Sequence, residues 1–258
     1  MPCLFCRGPG PFNTREHIVP ASLGNDDAFL EGMVCDGCQN YLAREVEGPA
    51  LTHTPIGVWR VLLRTPTKKG NPPQASLGAA PKGRIPSSHW MEDSITFEAH
   101  HDDSVSATID EDATVQAMTS GNKSNFRMVL TPWHIQSLGR LLGKMGLEFV
   151  ATHDRSAAFG SRFDPMRNYV RRGSTSRIWP VYLAADQGRS LRKLLPDGDS
   201  YEVECYRYEL GQVVDGNVLF GFGIGTDIYA INLTDQQPNT DPGWSKSARF
   251  QCLHYDAF

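Results

Sequence analysis

At 258 residues, with 40% hydrophobic and 21% charged side chains, the chain has the makeup of a globular protein with room for two domains, and a mainly disordered chain is excluded. A formal net charge of −4 provides no global basic field, so contact with nucleic acid has to come from a local basic patch. No apolar run reaches the roughly eighteen residues of a membrane span, and the N-terminus is polar where a signal peptide is apolar, so a cytoplasmic protein without membrane contact is expected.

The first residues carry the densest pattern. Cys3 and Cys6 form one Cys-x-x-C pair and Cys35 and Cys38 a second, out of six cysteines in all. In a reducing compartment such pairs point to thiolate–metal chemistry rather than to disulfides. Each Cys-x-x-C turn brings two thiolates to one tetrahedral ion, and two turns close a four-sulfur shell. A structural Zn²⁺ that holds the fold and does no chemistry is therefore expected on Cys3, Cys6, Cys35 and Cys38. Cys205 and Cys252 stand alone and read as small buried hydrophobes.

Between the pairs runs Arg15-Glu16-His17-Ile18-Val19-Pro20, a short strand that stops at the proline. Residues 21–32 read as a polar loop, Met33 and Val34 as the returning strand, and residues 39–47 as a helix leaving the second cysteine turn. Strand, loop, strand and helix would make a ββα unit pinned by zinc.

These residues resemble the HNH, or ββα-metal, endonucleases, in the branch stapled by two Cys-x-x-C pairs. The likeness lies in Glu16-His17-Ile18-Val19-Pro20, in the loop after it and in the amide that follows the last cysteine; the HNH domain of RNA-guided CRISPR nucleases carries a similar acidic-His-Ile-Val-Pro segment without the zinc cysteines. It covers about the first fifth of the chain. The resemblance implies a metal-dependent hydrolase that cuts DNA, or RNA, and leaves a 5′-phosphate and a 3′-hydroxyl. His17 would be the general base, and Glu16 with a helix amide would hold a catalytic Mg²⁺ (or Mn²⁺). The amide is Gln39, directly after Cys38, or Asn40, one residue on; the family places Asn or His at the first of these. Adjacent strand residues point to opposite faces, so a shared site for Glu16 and His17 requires a twist or bulge near Pro20.

Residues 51–64 read as an apolar helix end that carries Arg60 and Arg64 one turn apart, with Lys68 and Lys69 beyond. This is the clearest basic cluster near the finger. Arg15 beside the motif and Arg44 on the 39–47 helix join Arg60 and Arg64 as candidate nucleic-acid contacts, which would grip phosphates without reading sequence. Residues 67–89 are rich in Pro, Gly, Ser and Ala and mark a linker or long loop. The domains expected are thus 1–66, the zinc-built nuclease unit, and 90–258, an accessory α+β part.

In that second part, residues 95–99 and 104–109 alternate like strands, and His100, His101, Asp102 and Asp103 read as the turn between them. Residues 132–152 form an amphipathic helix with Ile135, Leu138, Leu141, Leu142, Met145 and Phe149 on its stripe, and with Gly139, Gly143 and Gly146 suited to close packing. A short basic helix is expected at 164–172, then strands at 178–183, 201–208, 218–222 and 228–233, with Asp215-Gly216-Asn217 as a hairpin turn. The overall class is α+β. Dimerisation, target selection and sensing are all open roles for the accessory part. Two rival readings of the whole stand beside the nuclease: a non-catalytic zinc module that binds nucleic acid, and a sensor or interaction protein in which the finger is a scaffold.

Overall fold

The computed structural model describes residues 2–67, 69–77, 95–102, 104–109, 130–173, 178–185, 206–212, 216–236 and 251–253. Within them the chain is a mixed α+β protein with three antiparallel sheets.

The first cysteine turn closes through Cys3 N–H to the Gly8 carbonyl at 2.8 Å and Arg7 N–H to the Cys3 carbonyl at 3.0 Å. Strand β1 (Glu16–His17) then pairs with β2 (Phe29–Leu30), setting Glu16 opposite Leu30 and His17 opposite Phe29. The returning strand is thus earlier than Met33 and Val34, and the cause is Asn25. This buried amide donates to the carbonyls of Val19 at 2.7 Å and Ala28 at 2.9 Å and accepts the Ala28 N–H at 2.9 Å, so the loop folds back early. Met33 and Val34 instead lie in the core, where the Met33 carbonyl receives Leu4 N–H at 2.7 Å.

Helix α1 (Asp36–Leu42) leaves the second cysteine turn and passes through a π-helical turn (Ala43–Glu47) into α2 (Gly48–His53). The helix expected over residues 51–64 is broken. Thr54 is extended at φ −125° and ψ 168°, as the ring of the following Pro55 demands, and α3 (Pro55–Leu62) starts afresh in a new direction. Strand β3 (Gln74–Leu77) lies inside the Pro/Gly-rich stretch and pairs with β4 (Ile95–Ala99), which pairs with β5 (Val105–Ile109). Residues 78–89 of that stretch, and Lys68, lie outside the described residues. A small core of Val61, Ala75 and Ala99 joins α3 to this sheet. His100 to Asp102 do form the β4–β5 turn, with Asp102 accepting from the Ser104 N–H at 3.1 Å and hydroxyl at 2.7 Å.

Helix α4 (Pro132–His153) is the axle of the second part, buried on nearly every side. Its glycines explain the close fit. A Cβ on Gly139 would lie 2.5 Å from the Tyr169 hydroxyl and one on Gly143 2.4 Å from the Met166 sulfur. Both contacts come from the helix that follows α5 (Arg155–Ala158), namely α6 (Asp164–Arg172). Gly146 meets the other side, where a Cβ would stand 2.9 Å from Cβ of Phe220. That face is the five-stranded sheet of β6 (Val181–Ala185), β7 (Tyr206–Gln212), β8 (Val218–Ile224), β9 (Asp227–Asn232) and β10 (Gln251–Leu253), in the order β10-β6-β9-β8-β7. Cys205 and residues 201–204 lie outside the described residues.

The two parts share one buried cluster that runs from Cys3, Leu4 and Phe5 through Leu141 and Met145 to Phe220 and Leu233. Trp59 of α3 adds a directed link: its indole N–H donates to Asp227 at 2.8 Å, and its ring covers Gly225 in the turn between β8 and β9. Among the described residues, no helix is long and apolar enough to cross a membrane.

Candidate metal centre and the Glu16–His17 site

The ligand atoms of Cys3, Cys6, Cys35 and Cys38 all lie within 4.8 Å of one another, three of the residues buried and Cys6 partly so. The Cys6 and Cys35 sulfurs are 3.7 Å apart. Backbone N–H groups point at the sulfurs, Cys35 N–H to Cys3 at 3.4 Å and Gly8 N–H to Cys6 at 3.4 Å, as suits thiolates whose negative charge requires donors. The electrostatics agree. Hydrogen bonding from Cys38 draws the Cys3 thiol down to about 4, against the opposing effect of burial. That same pairing, with burial, pushes Cys38 upward. Four thiols packed this closely compete for protons, and a divalent ion that replaces the protons relieves the conflict. The donor set fits a structural metal such as zinc.

The hairpin keeps the alternation of an ordinary strand pair. Glu16 and Leu30 form its buried side, and His17 and Phe29 its half-buried side, with the two rings 4.6 Å apart at 56°. Glu16 therefore faces inward, where it meets a residue that the sequence reading did not single out. Lys144 of α4 is fully buried, and its ammonium lies 2.7 Å from Glu16, 2.9 Å from Glu47 and 3.0 Å from Glu148. It also donates to the backbone carbonyl of His17 at 2.6 Å. Burial alone would lower the Lys144 pKa, but Glu148, Glu47 and Glu16 outweigh it and hold the ammonium well above its ordinary value. Burial raises Glu148 well above the carboxylate range, with Glu16 and Glu47 adding to the rise against the pull of Lys144.

Gln39 and Asn40 go separate ways. The Gln39 carbonyl oxygen accepts from the Thr14 hydroxyl at 2.6 Å, and its amide donates to the carbonyls of Thr14 at 3.0 Å and Val34 at 3.1 Å. Gln39 thus braces the strand entering β1, beside Asp36, which accepts from Asn13 N–H at 2.9 Å. Asn40 is exposed. As placed, Glu16 and Gln39 are both committed to protein partners and do not fit an oxygen-ligated Mg²⁺. Among the described residues, the four cysteines are the group of three or more His, Cys, Asp or Glu side chains set to share an ion.

The basic residues also divide. Arg15 is exposed, pairs with Glu31 at 3.0 Å and lies over the Phe29 ring. Arg44 is exposed and pairs with Glu45 at 2.8 Å, and Arg64 is exposed at the end of α3. Arg60 is buried, 7% exposed, so it takes no part in a surface stripe.

Lys144 and Glu148 are what the sequence reading missed; Glu47, two helical turns beyond Gln39, reads from sequence as a further ligand, a hydrogen-bond partner or a solvated carboxylate, and the structure pairs it with Lys144. A signal existed: Lys144 and Glu148 stand at i and i+4 in a helix otherwise apolar and glycine-rich, where charges have to be paired. Comparison with known proteins adds no relative, since no family model, no curated protein and no solved structure matches the chain.

Proposed function

We propose that the N-terminal unit is a nuclease of the HNH, or ββα-metal, type that hydrolyses phosphodiester bonds of DNA, with His17 as general base. One observation carries the reading. Glu16 and His17 of the Glu-His-Ile-Val-Pro string form the first strand of a hairpin between the two cysteine turns, with the His17 ring on its half-buried side and the helix following. An imidazole suits proton exchange near neutral pH, and here it would take the proton of the attacking water. Lys144 and Phe29 act on orientation: one holds the His17 carbonyl and the other packs at a tilt against its ring, which removes freedom from the base before substrate arrives. A hard divalent ion such as Mg²⁺ or Mn²⁺ supplies positive charge at a phosphate in this chemistry. Lys144 and Thr14 already engage Glu16 and Gln39, so as placed these two do not hold such an ion. Arg15, Arg44 and Arg64 are exposed, and in this reading they would meet backbone phosphates.

A second reading is favoured by Lys144. An ammonium among Glu16, Glu47 and Glu148 occupies the carboxylates that an ion would use, which suits a non-catalytic zinc module that binds nucleic acid. Plasmid cleavage with Mg²⁺ or Mn²⁺, against EDTA and the His17→Ala variant, separates the two. Nicking or linearisation that requires His17 is the expected result; a need for the ion as well would mean that Glu16 or Gln39 leaves its protein partner to hold it. Salt-sensitive DNA binding with no cutting by wild type under either ion would select the binding module.

A further inference from the structure

A cavity of about 440 Å³ lies beside the finger, between the turn at Ser22, the π-helical turn with the start of α2, and the residues that follow α3. Its size is that of a small-ligand site, which spans roughly 300–1,000 Å³. Ala43, Gly48 and Leu51 give the wall an apolar part, and its cations are Arg60 and Lys69. Arg60 lines it, is only 7% exposed, and has a buried Nε with no hydrogen-bond partner. Among the described residues no carboxylate pairs with this guanidinium, and burial holds its pKa below the ordinary arginine value. Lys69 adds a second cation, and Ser22, Thr52 and Asn71 add neutral donors. Glu47 is the one acid on the wall, and its carboxylate lies 2.9 Å from Lys144.

A buried charge without a partner is expensive, and buried arginines are found paired. An anion that enters the cavity would give the Arg60 side chain such a partner. A guanidinium, an ammonium and the hydroxyl and amide groups of Ser22, Thr52 and Asn71 lining one space suit a tetrahedral oxyanion better than a planar carboxylate, which cannot use so many donors at once. We propose that this cavity is a phosphate-binding site, with Arg60 as its buried charge and Lys69 at its rim, filled by a phosphate of a nucleotide or of a nucleic-acid backbone. The site stands apart from hydrolysis at His17 and requires no cutting to operate.

The test uses the zinc-loaded full chain. Inorganic phosphate and a nucleoside monophosphate are titrated calorimetrically, and a short labelled DNA duplex is followed by fluorescence anisotropy, for wild type, Arg60→Gln and His17→Ala. Saturable binding of at least one probe is expected, weakened about tenfold or more by Arg60→Gln and retained in His17→Ala. Binding of the small probes identifies a free nucleotide as the source of the phosphate, and binding of the duplex alone identifies the backbone. Should Arg60→Gln not fold, Thr52→Glu places a carboxylate inside the cavity; it is expected to abolish phosphate binding and raise the Tm, because Arg60 gains a partner. No saturable binding of any probe, or equal binding with and without the changes in the cavity, overturns the proposal. Loss of the nuclease reading alone would leave this binding intact, so the two fail separately.

Discussion

Around the cysteines, regular structure amounts to two strands of two residues each and one short 3₁₀ turn before α1 begins. Across the molecule, α4 and the five-stranded sheet bury Leu138, Leu141, Met145, Phe220, Phe222 and Ile231 completely. The first region is too short of paired backbone to persist by itself, and directed chemistry takes over: four thiols, the Asn25 amide and the Gln39 brace. The second follows the ordinary rule of apolar area removed from water. Lys144 is where the two meet, for it belongs to the apolar helix but spends its charge on the hairpin. Stability here has two currencies, and each should respond to its own perturbation.

The largest effect expected is from the metal. Structural zinc sites contribute on the order of 10 kcal/mol to the folded state they complete. Chelation, or Cys38→Ser, should strip hydrogen-exchange protection from β1, β2 and α1 while β8 and β9 stay protected. Equal loss in both regions would show that the finger supports the whole core and would break the comparison.

Next comes Lys144→Met, which leaves buried carboxylates without their cation and should cost about 3–5 kcal/mol in denaturant unfolding. Adding Glu148→Leu should recover part of that loss, since the acid that remains buried is then removed. A cost below about 1 kcal/mol, the range of exposed pairs, would mean that water already reaches the cluster.

The smallest effect concerns acid. His134 is buried at the start of α4, where its Nδ1 accepts from Thr131 N–H at 3.1 Å, and burial, with the charge of His53, lowers its pKa to about 4. In the unfolded chain it returns to roughly 6.5. The folded pKa is the lower one, so the stability is complete above about pH 6.5 and is lost as pH falls toward about 4. The full difference is roughly 3 kcal/mol. His134→Gln keeps an acceptor for Thr131 and should flatten the pH dependence of unfolding over that window. An unchanged slope would assign the acid sensitivity to the cysteines of the finger, where protonation releases the ion.

How much of this was legible in the sequence follows the same division. Periodicity revealed α4, β4 and β5 because each repeats long enough to show its buried face. Spacing revealed the cysteine cluster, since two residues between thiols is a local constraint. The strand at Phe29–Leu30 was not legible, because two residues have no period and their place is set by one buried asparagine. The Lys144 cluster was hidden for another reason: Lys144 and His17 are 127 positions apart, and only the packing of α4 against the hairpin joins them. Arg60 was misplaced because its spacing from Arg64 makes one stripe only if the helix continues, whereas α3 ends at Leu62 and Arg64 turns away at φ 56°.

The π-helical turn at Ala43–Glu47 has a consequence for chain length. Such a turn takes one residue more than an α-helical turn, so it acts as a phase shift of about 100° for everything downstream. Cys38 and Glu47 each meet their own partner because of that offset, one at the cysteine cluster and the other at Lys144. Losing one residue from this turn would realign the helix as a plain spiral and swing Glu47 away from the ammonium. Point changes on the exposed side of α1 alter only what they touch. An insertion or deletion here would re-index the whole connection between the metal end and the apolar body, and in this stretch residue count matters more than residue type.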